Sequence, residues 1–259
     1  MRWLPLPALL LCACPSAPAA LHDVSHQGAA QKLTGADELL RRTLAANDGY
    51  GTLTTVHKVT AEIALGGERS EKRSFRGVLA IRRPGHFRLQ ILGAMGLKLV
   101  DLLYAEGKTR VLHVEPALRR SSRLPEILES VAGDIRAVYR LDPTPEVERR
   151  KMEETVSLAS GRAPLFNLQE FRGKDLVRQM DIFAATLAIA RSQVTEGLDI
   201  RTITYGAYET NGRLMVPRQI HVAKEGQVFY WLSIQVESVT MDEELDEELF
   251  APQSATDEA

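Results

Sequence analysis

The side chains best suited to covalent chemistry in this chain are two cysteine thiols, Cys12 and Cys14, which stand two residues apart near the N-terminus. Six histidines, His22, His26, His57, His86, His113 and His221, are scattered along the rest of the chain, with no H-E-x-x-H pair among them. There is no G-x-S-x-G elbow for a serine nucleophile, and no glycine-rich phosphate loop follows a strand pattern; Ala64-Leu65-Gly66-Gly67 is a turn. Asp101 interrupts an otherwise apolar strand pattern. Buried, its carboxyl would be pushed up; at a register change facing water, it would be an ordinary surface acid. General acid–base catalysis needs a second, convergent group, and the sequence offers none. No catalytic residue, cofactor site or metal site is expected.

The cysteines are better explained by their neighbours. A single basic residue, Arg2, precedes an apolar run ending Leu11-Cys12-Ala13-Cys14. A run of about ten residues suits a secretion leader and falls far short of the roughly 20 that span a bilayer. The last four residues resemble the lipobox of bacterial lipoproteins, in which cleavage precedes the cysteine and its sulfur receives a diacylglycerol. That resemblance predicts a signal peptide over 1–13 and lipidation of Cys14. Ordinary cleavage after Ala17-Pro18-Ala19 is the alternative. Either way Cys12 leaves with the leader, so the mature chain has no pair for an internal disulfide, and its stability must come from an apolar core. Removing Arg2 changes the balance from 32 basic and 34 acidic residues to 31 and 34, a net charge of −3. Near-neutral charge argues against nucleic acid as a partner.

The elements follow from periodicity. Residues 15–33 are rich in Ala, Pro, Ser, His and Gln and read, with Cys14, as a lipidated flexible tether over 14–33. A helix is expected after Thr34, with acidic Asp37 and Glu38 in its first turn and Leu39, Leu40 and Leu44 on one face. Alternating strands then dominate. Phe75, Leu79 and Ile81 share one parity, as do Phe87, Leu89 and Ile91, and as do Val228, Tyr230, Leu232, Ile234 and Val236. Two short helices, Leu124–Leu128 and Asp134–Leu141, interrupt the strands, and an acidic helix, Asp242–Phe250, ends them before a tail over 253–259. The expected fold class is mainly β with α: about ten or eleven antiparallel strands in one domain over 34–252. So long a twisted sheet must curl or close. Its apolar concave face then needs the N-terminal helix and the central helical insertion as a cover.

The stretch from Phe75-Arg76-Gly77-Val78-Leu79 through Arg83-Pro84-Gly85-His86-Phe87 to Gln90-Ile91-Leu92 resembles strands of the LolA/LolB lipoprotein-sorting family. Gly93-Ala94-Met95-Gly96-Leu97 falls where that family has an inter-strand loop, and Ile203-Thr204-Tyr205, Pro217-Arg218-Gln219-Ile220 and Leu245–Phe250 are similar to its ending. The resemblance implies an incomplete β-barrel whose cavity shelters acyl chains of lipoproteins or phospholipid, here lined by Phe75, Leu79, Ile81, Phe87, Leu89, Ile91, Tyr230, Leu232 and Ile234. With Cys14 it implies the branch that is lipid-anchored in the outer membrane and faces the periplasm. Such a protein would be a monomer supplied by a periplasmic carrier protein. In that branch an exposed leucine on a protruding loop promotes insertion into the membrane; Met95 stands at the matching position, beside Leu97. A turn residue folded back onto the sheet is the plainer reading of Met95. The basic set Arg69, Lys72, Arg73, Arg76, Arg82, Arg83 and Arg88 could face lipid headgroups or simply be the solvated face of alternating strands. A non-catalytic protein-binding sensor or envelope assembly factor is the alternative function for the same fold.

Overall fold

The computed structural model describes residues 28–64, 70–120, 124–142, 147–155, 164–197, 199–225 and 230–251. The expected leader, Cys14, Arg69, Val228 and the expected tail over 253–259 lie outside the described residues. Helix α1 (Ala36–Asp48) is followed by strands β1 (Thr52–Ala64), β2 (Ser70–Arg82), β3 (His86–Leu92), β4 (Lys98–Ala105) and β5 (Lys108–Val114). Helix α2 (Leu124–Val138) then precedes β6 (Arg149–Thr155), β7 (Leu165–Arg172), β8 (Asp175–Phe183), β9 (Ile189–Glu196), β10 (Asp199–Asn211), β11 (Leu214–Glu225) and β12 (Tyr230–Met241).

All twelve strands form one unclosed antiparallel sheet in the order β5-β4-β3-β2-β1-β12-β11-β10-β9-β8-β7-β6. The first and last long strands, β1 and β12, pair at the centre, and each half is a meander of neighbours in sequence. The edges are β5 and β6. Strand β6, Arg-Arg-Lys-Met-Glu-Glu-Thr, carries five charges in seven residues, which is how an exposed edge is kept from pairing with other chains.

Twelve strands stand where about ten or eleven are expected, and β7 shows why one escapes the apolar pattern. In β7, Phe166 and Leu168 are buried on one parity and Glu170 continues it, fully buried. Arg150 on β6 donates to one Glu170 carboxylate oxygen at 2.8 Å and Arg178 on β8 to the other. A buried acid held by two guanidiniums from flanking strands is compatible with a strand, but in sequence it reads as a break in the apolar pattern.

Two other expectations are corrected. The central insertion is one helix rather than two: Gly133, which resembles a helix break, sits inside α2 with the Arg201 guanidinium against it. A Cβ at that position would stand 3.2 Å from the Arg201 Nη2. The C-terminal acidic segment is not an α-helix but a 3-10 turn over Glu247–Phe250, capped by Asp246, whose side chain accepts from the Glu248 N–H. It drops Phe250, buried, onto the outer side of the sheet against Ala80, Leu103 and Ala105.

Candidate functional site: the covered concave face

Register alone decides which side chains share the concave face. Across the sheet centre, Ile234 on β12 stands opposite Val59 on β1, which stands opposite Phe75 on β2. Leu232 is opposite Ala61 on one side and Val222 on the other, and Val222 is opposite Ile203. Leu53 meets Ile81, Ile81 meets Phe87, and Phe87 meets Tyr104. The rings of Phe87 and Tyr104 stack with centroids 5.3 Å apart. Every residue expected to line the interior is therefore on this one face.

Two apolar clusters occupy it. Under α1, Leu39 and Leu40 pack with Phe166, Leu168, Met180, Ile182, Ile203 and Ile220 from the half-sheet β7–β11. Under α2, Leu128 and Ala132 pack with Leu79, Ile81, Phe87, Leu89 and Leu102 from β2–β4. Leu79, Ile81, Phe87 and Leu89 are thus buried beneath α2, whereas Phe75, Ile91, Leu232 and Ile234 remain half-buried. Tyr230 is buried and polar in its bonding.

The helices are pinned by polar clusters that the apolar pattern did not single out. On α2, Asp134 accepts from the Arg201 Nε at 2.9 Å and from the Tyr230 hydroxyl at 2.5 Å, and Ser130 lies 2.9 Å from the same hydroxyl. Burial pushes the Asp134 carboxyl up, against the opposing pull of Tyr230 and Arg201. Burial likewise pushes the Tyr230 phenol up, and the neighbouring Asp134 charge adds to it. At the other end of α2, Arg140 makes a two-point contact with Asp48 of α1 (2.6 and 2.7 Å), and Arg83 of the β2–β3 turn reaches the same carboxylate at 3.0 Å. Arg83 also donates to the Tyr139 carbonyl at 2.7 Å, so both helices and the sheet meet there. Between the helices, His57 on β1 bonds Thr55 (2.8 Å) and Tyr139 (3.1 Å), and burial lowers its pKa from 6.5 to about 4.

A void lies on the concave face where the C-terminal ends of α1 and α2 meet the sheet. The void below α2, lined by Tyr50, Leu53, Tyr139, Ile220 and Val236 among others, measures about 30 Å³. That is room for a water molecule or two, whereas pockets for drug-sized ligands run to roughly 300–1,000 Å³.

The remaining expected site residues are placed as follows. Met95 is fully exposed at the tip of the β3–β4 connection, with a left-handed φ of 55°, and Leu97 is 57% exposed. The tip is closed by Gly93 N–H to Leu97 carbonyl at 2.8 Å, so Met95 points outward and not back onto the sheet. The half-buried Phe75, Ile91 and Leu232 lie toward this same end, since Arg76 pairs with Leu92, the last residue before the loop. Asp101 answers to neither sequence reading alone. It is buried at a register shift, and burial would raise its pKa, but hydrogen bonds from Arg88 and Lys98 outweigh that and hold it below the usual range. The basic set does not form one face. Arg88 is buried on Asp101, Arg83 on Asp48, Arg82 lies over the Phe250 ring, and Arg76 pairs with Glu237, while Lys72 and Arg73 are exposed.

Among the described residues no group of three or more His, Cys, Asp or Glu side chains could hold a metal ion, and no helix is long and apolar enough to cross a membrane. The architecture is that of an open antiparallel half-barrel whose concave face is covered by helices. It is similar to a LolA superfamily protein of Nitrosomonas europaea at 10% identity and a TM-score of 0.54, over 85% of this chain and 98% of that one. It is also similar to a domain of Vibrio parahaemolyticus assigned as an outer membrane lipoprotein-sorting protein, at 13% identity and a TM-score of 0.52, over 83% and 95%. No protein-family model and no curated sequence matches the chain. The chain has the LolA/LolB-like fold.

Proposed function

We propose that this chain is an exported, non-catalytic lipoprotein, anchored through Cys14, that binds acyl chains of lipoproteins or lipids on its concave face and assists their transfer to the outer membrane. The observation that supports this reading is the mainly apolar concave face of the sheet, still half-open at Phe75, Ile91, Leu232 and Ile234, at the end where Met95 projects. An acyl chain entering there would be handed on beside an exposed apolar tip.

The void of about 30 Å³ makes displacement of a helix part of the reading. Burial contributes about 0.8 kcal/mol per CH₂, so a long chain gains enough to offset the loss of a few polar contacts. Helix α2 is the element to move: its buried face, with Leu128 and Ala132 on the apolar side chains of β2–β4, can be replaced in kind by an acyl chain. Transfer then needs no covalent step, only a site that competes with water but yields to a membrane.

The test is displacement of a fluorescent fatty acid by a triacylated lipopeptide. Uptake is expected in the parent protein and in Met95→Asp, and its loss is expected in Ile234→Asp and Leu232→Asp. Probe binding that both concave-face substitutions leave unchanged would overturn the assignment.

A further inference from the structure

The sheet has two edges, β5 and β6, and the sequence protects them unequally. Strand β6 carries five charges in seven residues. Strand β5, Lys-Thr-Arg-Val-Leu-His-Val, has two basic residues and no acid, and its Val111 is 49% exposed. An edge of this kind is a template for a further strand.

The direction of each backbone group on β5 follows from its hairpin. Glu106 and Gly107 both have positive φ, as a tight two-residue turn requires, and Ala105 stands opposite Lys108. Residues flanking such a turn exchange both backbone bonds, and the bonded pairs then alternate. Lys108 and Arg110 therefore bond to β4, while the N–H and C=O groups of Thr109 and Val111 point away from it. Strand β5 has β4 as its one neighbour in the sheet, and the outward groups of Thr109 and Val111 have no partner among the described residues. Past the register shift, the Val114 carbonyl accepts from the Arg119 Nε at 3.0 Å.

Two side-chain atoms beside this edge are also unmatched. Thr109 stands opposite Tyr104 and shares its concave face. Arg136 of α2 lies over the Tyr104 ring, 5.0 Å from its centroid, and reaches its hydroxyl at 3.3 Å. Thr109 Oγ1 and Arg136 Nε are buried without a hydrogen-bond partner among the described residues. Buried polar atoms are nearly always paired, so two of them at one open edge mark a place for an outside group. The acids nearest Arg136 are loosely held, Asp142 at 3.6 Å and Glu129 at 3.9 Å. On the outer face Lys108 is exposed, and Arg110 meets the exposed Glu106 at 3.4 Å.

An acyl chain offers these groups no hydrogen bond. A second copy joined β5 to β5 would set two basic, acid-free strands against each other. An extended acidic polypeptide satisfies both backbone and charge. We propose that β5 is the docking edge for such a segment, which adds to the sheet as a further strand. Its backbone bonds to Thr109 and Val111. Its side chains alternate, apolar beside Val111 on the concave side and acidic beside Lys108 and Arg110 on the outer side. Strand β5 ends at the mouth, where the Glu115 N–H donates to the Leu99 carbonyl at 2.8 Å close to the Met95 tip. A lipoprotein whose acyl chains enter there lays the residues after its acylated cysteine along β5. That source rests on the acyl-binding reading, whereas the strand pairing does not.

The probes are two unacylated heptapeptides, one alternating valine with aspartate and one alternating valine with lysine, added to the full chain. The aspartate peptide is expected to bind saturably, about tenfold or more tighter than the lysine peptide, and to slow amide-proton exchange at Thr109 and Val111, read by NMR. Val111→Pro removes an outward N–H and leaves the bonds to β4, so it is expected to abolish peptide binding with fatty-acid uptake unchanged. Lys108→Glu with Arg110→Glu keeps the backbone as it is and is expected to reverse the preference between the peptides. No saturable binding of the aspartate peptide, equal binding of the two, or binding that leaves exchange at Thr109 and Val111 unchanged overturns the proposal. So does a parent protein that self-associates through β5. A parent that binds the aspartate peptide but takes up no fatty acid supports the docking edge and overturns its acylated source.

Discussion

Asp134 on α2 and Arg201 on β10 meet in an ion pair 2.9 Å long, with both side chains no more than 6% exposed. Arg201 lies on the apolar face of its strand, on the parity of Ile203 and Tyr205, and Gly133 leaves the room through which its guanidinium reaches the helix. Removing one partner strands a buried charge. Arg201→Met is therefore expected to lower stability by about 3–5 kcal/mol, whereas Arg201→Met with Asp134→Leu recovers most of that loss. Urea unfolding of the parent, single and double variants checks both statements; additive losses would mean that the two residues act separately.

His57 gives the stability a pH dependence with a definite sign. Its folded pKa of about 4 lies below the ordinary 6.5, so the unfolded chain binds its proton first as pH falls. The stabilising contribution is complete above about pH 6.5 and is lost progressively toward pH 4, by about 3 kcal/mol in full. Unfolding midpoints measured from pH 7.5 to 4 should fall more steeply in the parent than in His57→Gln. Parallel curves for the two would show that His57 is not the group responsible.

Met95 is fully exposed and makes no packing contribution to lose. Met95→Asp is expected to leave stability within about 0.5 kcal/mol of the parent. In vesicle assays it should slow delivery of acylated cargo several-fold while leaving uptake unchanged. Equal delivery by the two proteins would remove this loop from the transfer step.

Phe87 stacks on Tyr104 and is wholly buried beneath α2. Phe87→Ala should destabilise by about 3–5 kcal/mol, the usual consequence of an aromatic cavity in a packed core. A denaturation midpoint close to that of the parent would mean that α2 does not pack against this half of the sheet in solution.

The alternating strands were legible because their apolar residues obey a strict period of two: Phe75 with Leu79 and Ile81, Phe87 with Leu89 and Ile91, Tyr230 with Leu232 and Ile234. The antiparallel half-barrel and its helical cover followed from their number. What escaped the pattern is where polar residues take apolar positions. Glu170 ends the visible alternation of β7 although it is fully buried between Arg150 and Arg178. Asp134, Arg201 and His57 share the interior with Leu, Ile and Val, and only the packing of distant elements identifies their partners. Gly133 reads as a helix break until the guanidinium that occupies its missing side chain is in view. The volume of the interior belongs to the same category, since it is set by how closely α1 and α2 sit on the sheet.

The central claim is that the concave face takes an acyl chain when α2 moves away. Native mass spectrometry of the purified protein after incubation with a triacylated lipopeptide tests it most directly. The account predicts a one-to-one complex with the parent and its absence with Ile234→Asp. Parent protein that stays at its bare mass, with no lipid carried over from the cells that made it, would contradict the account.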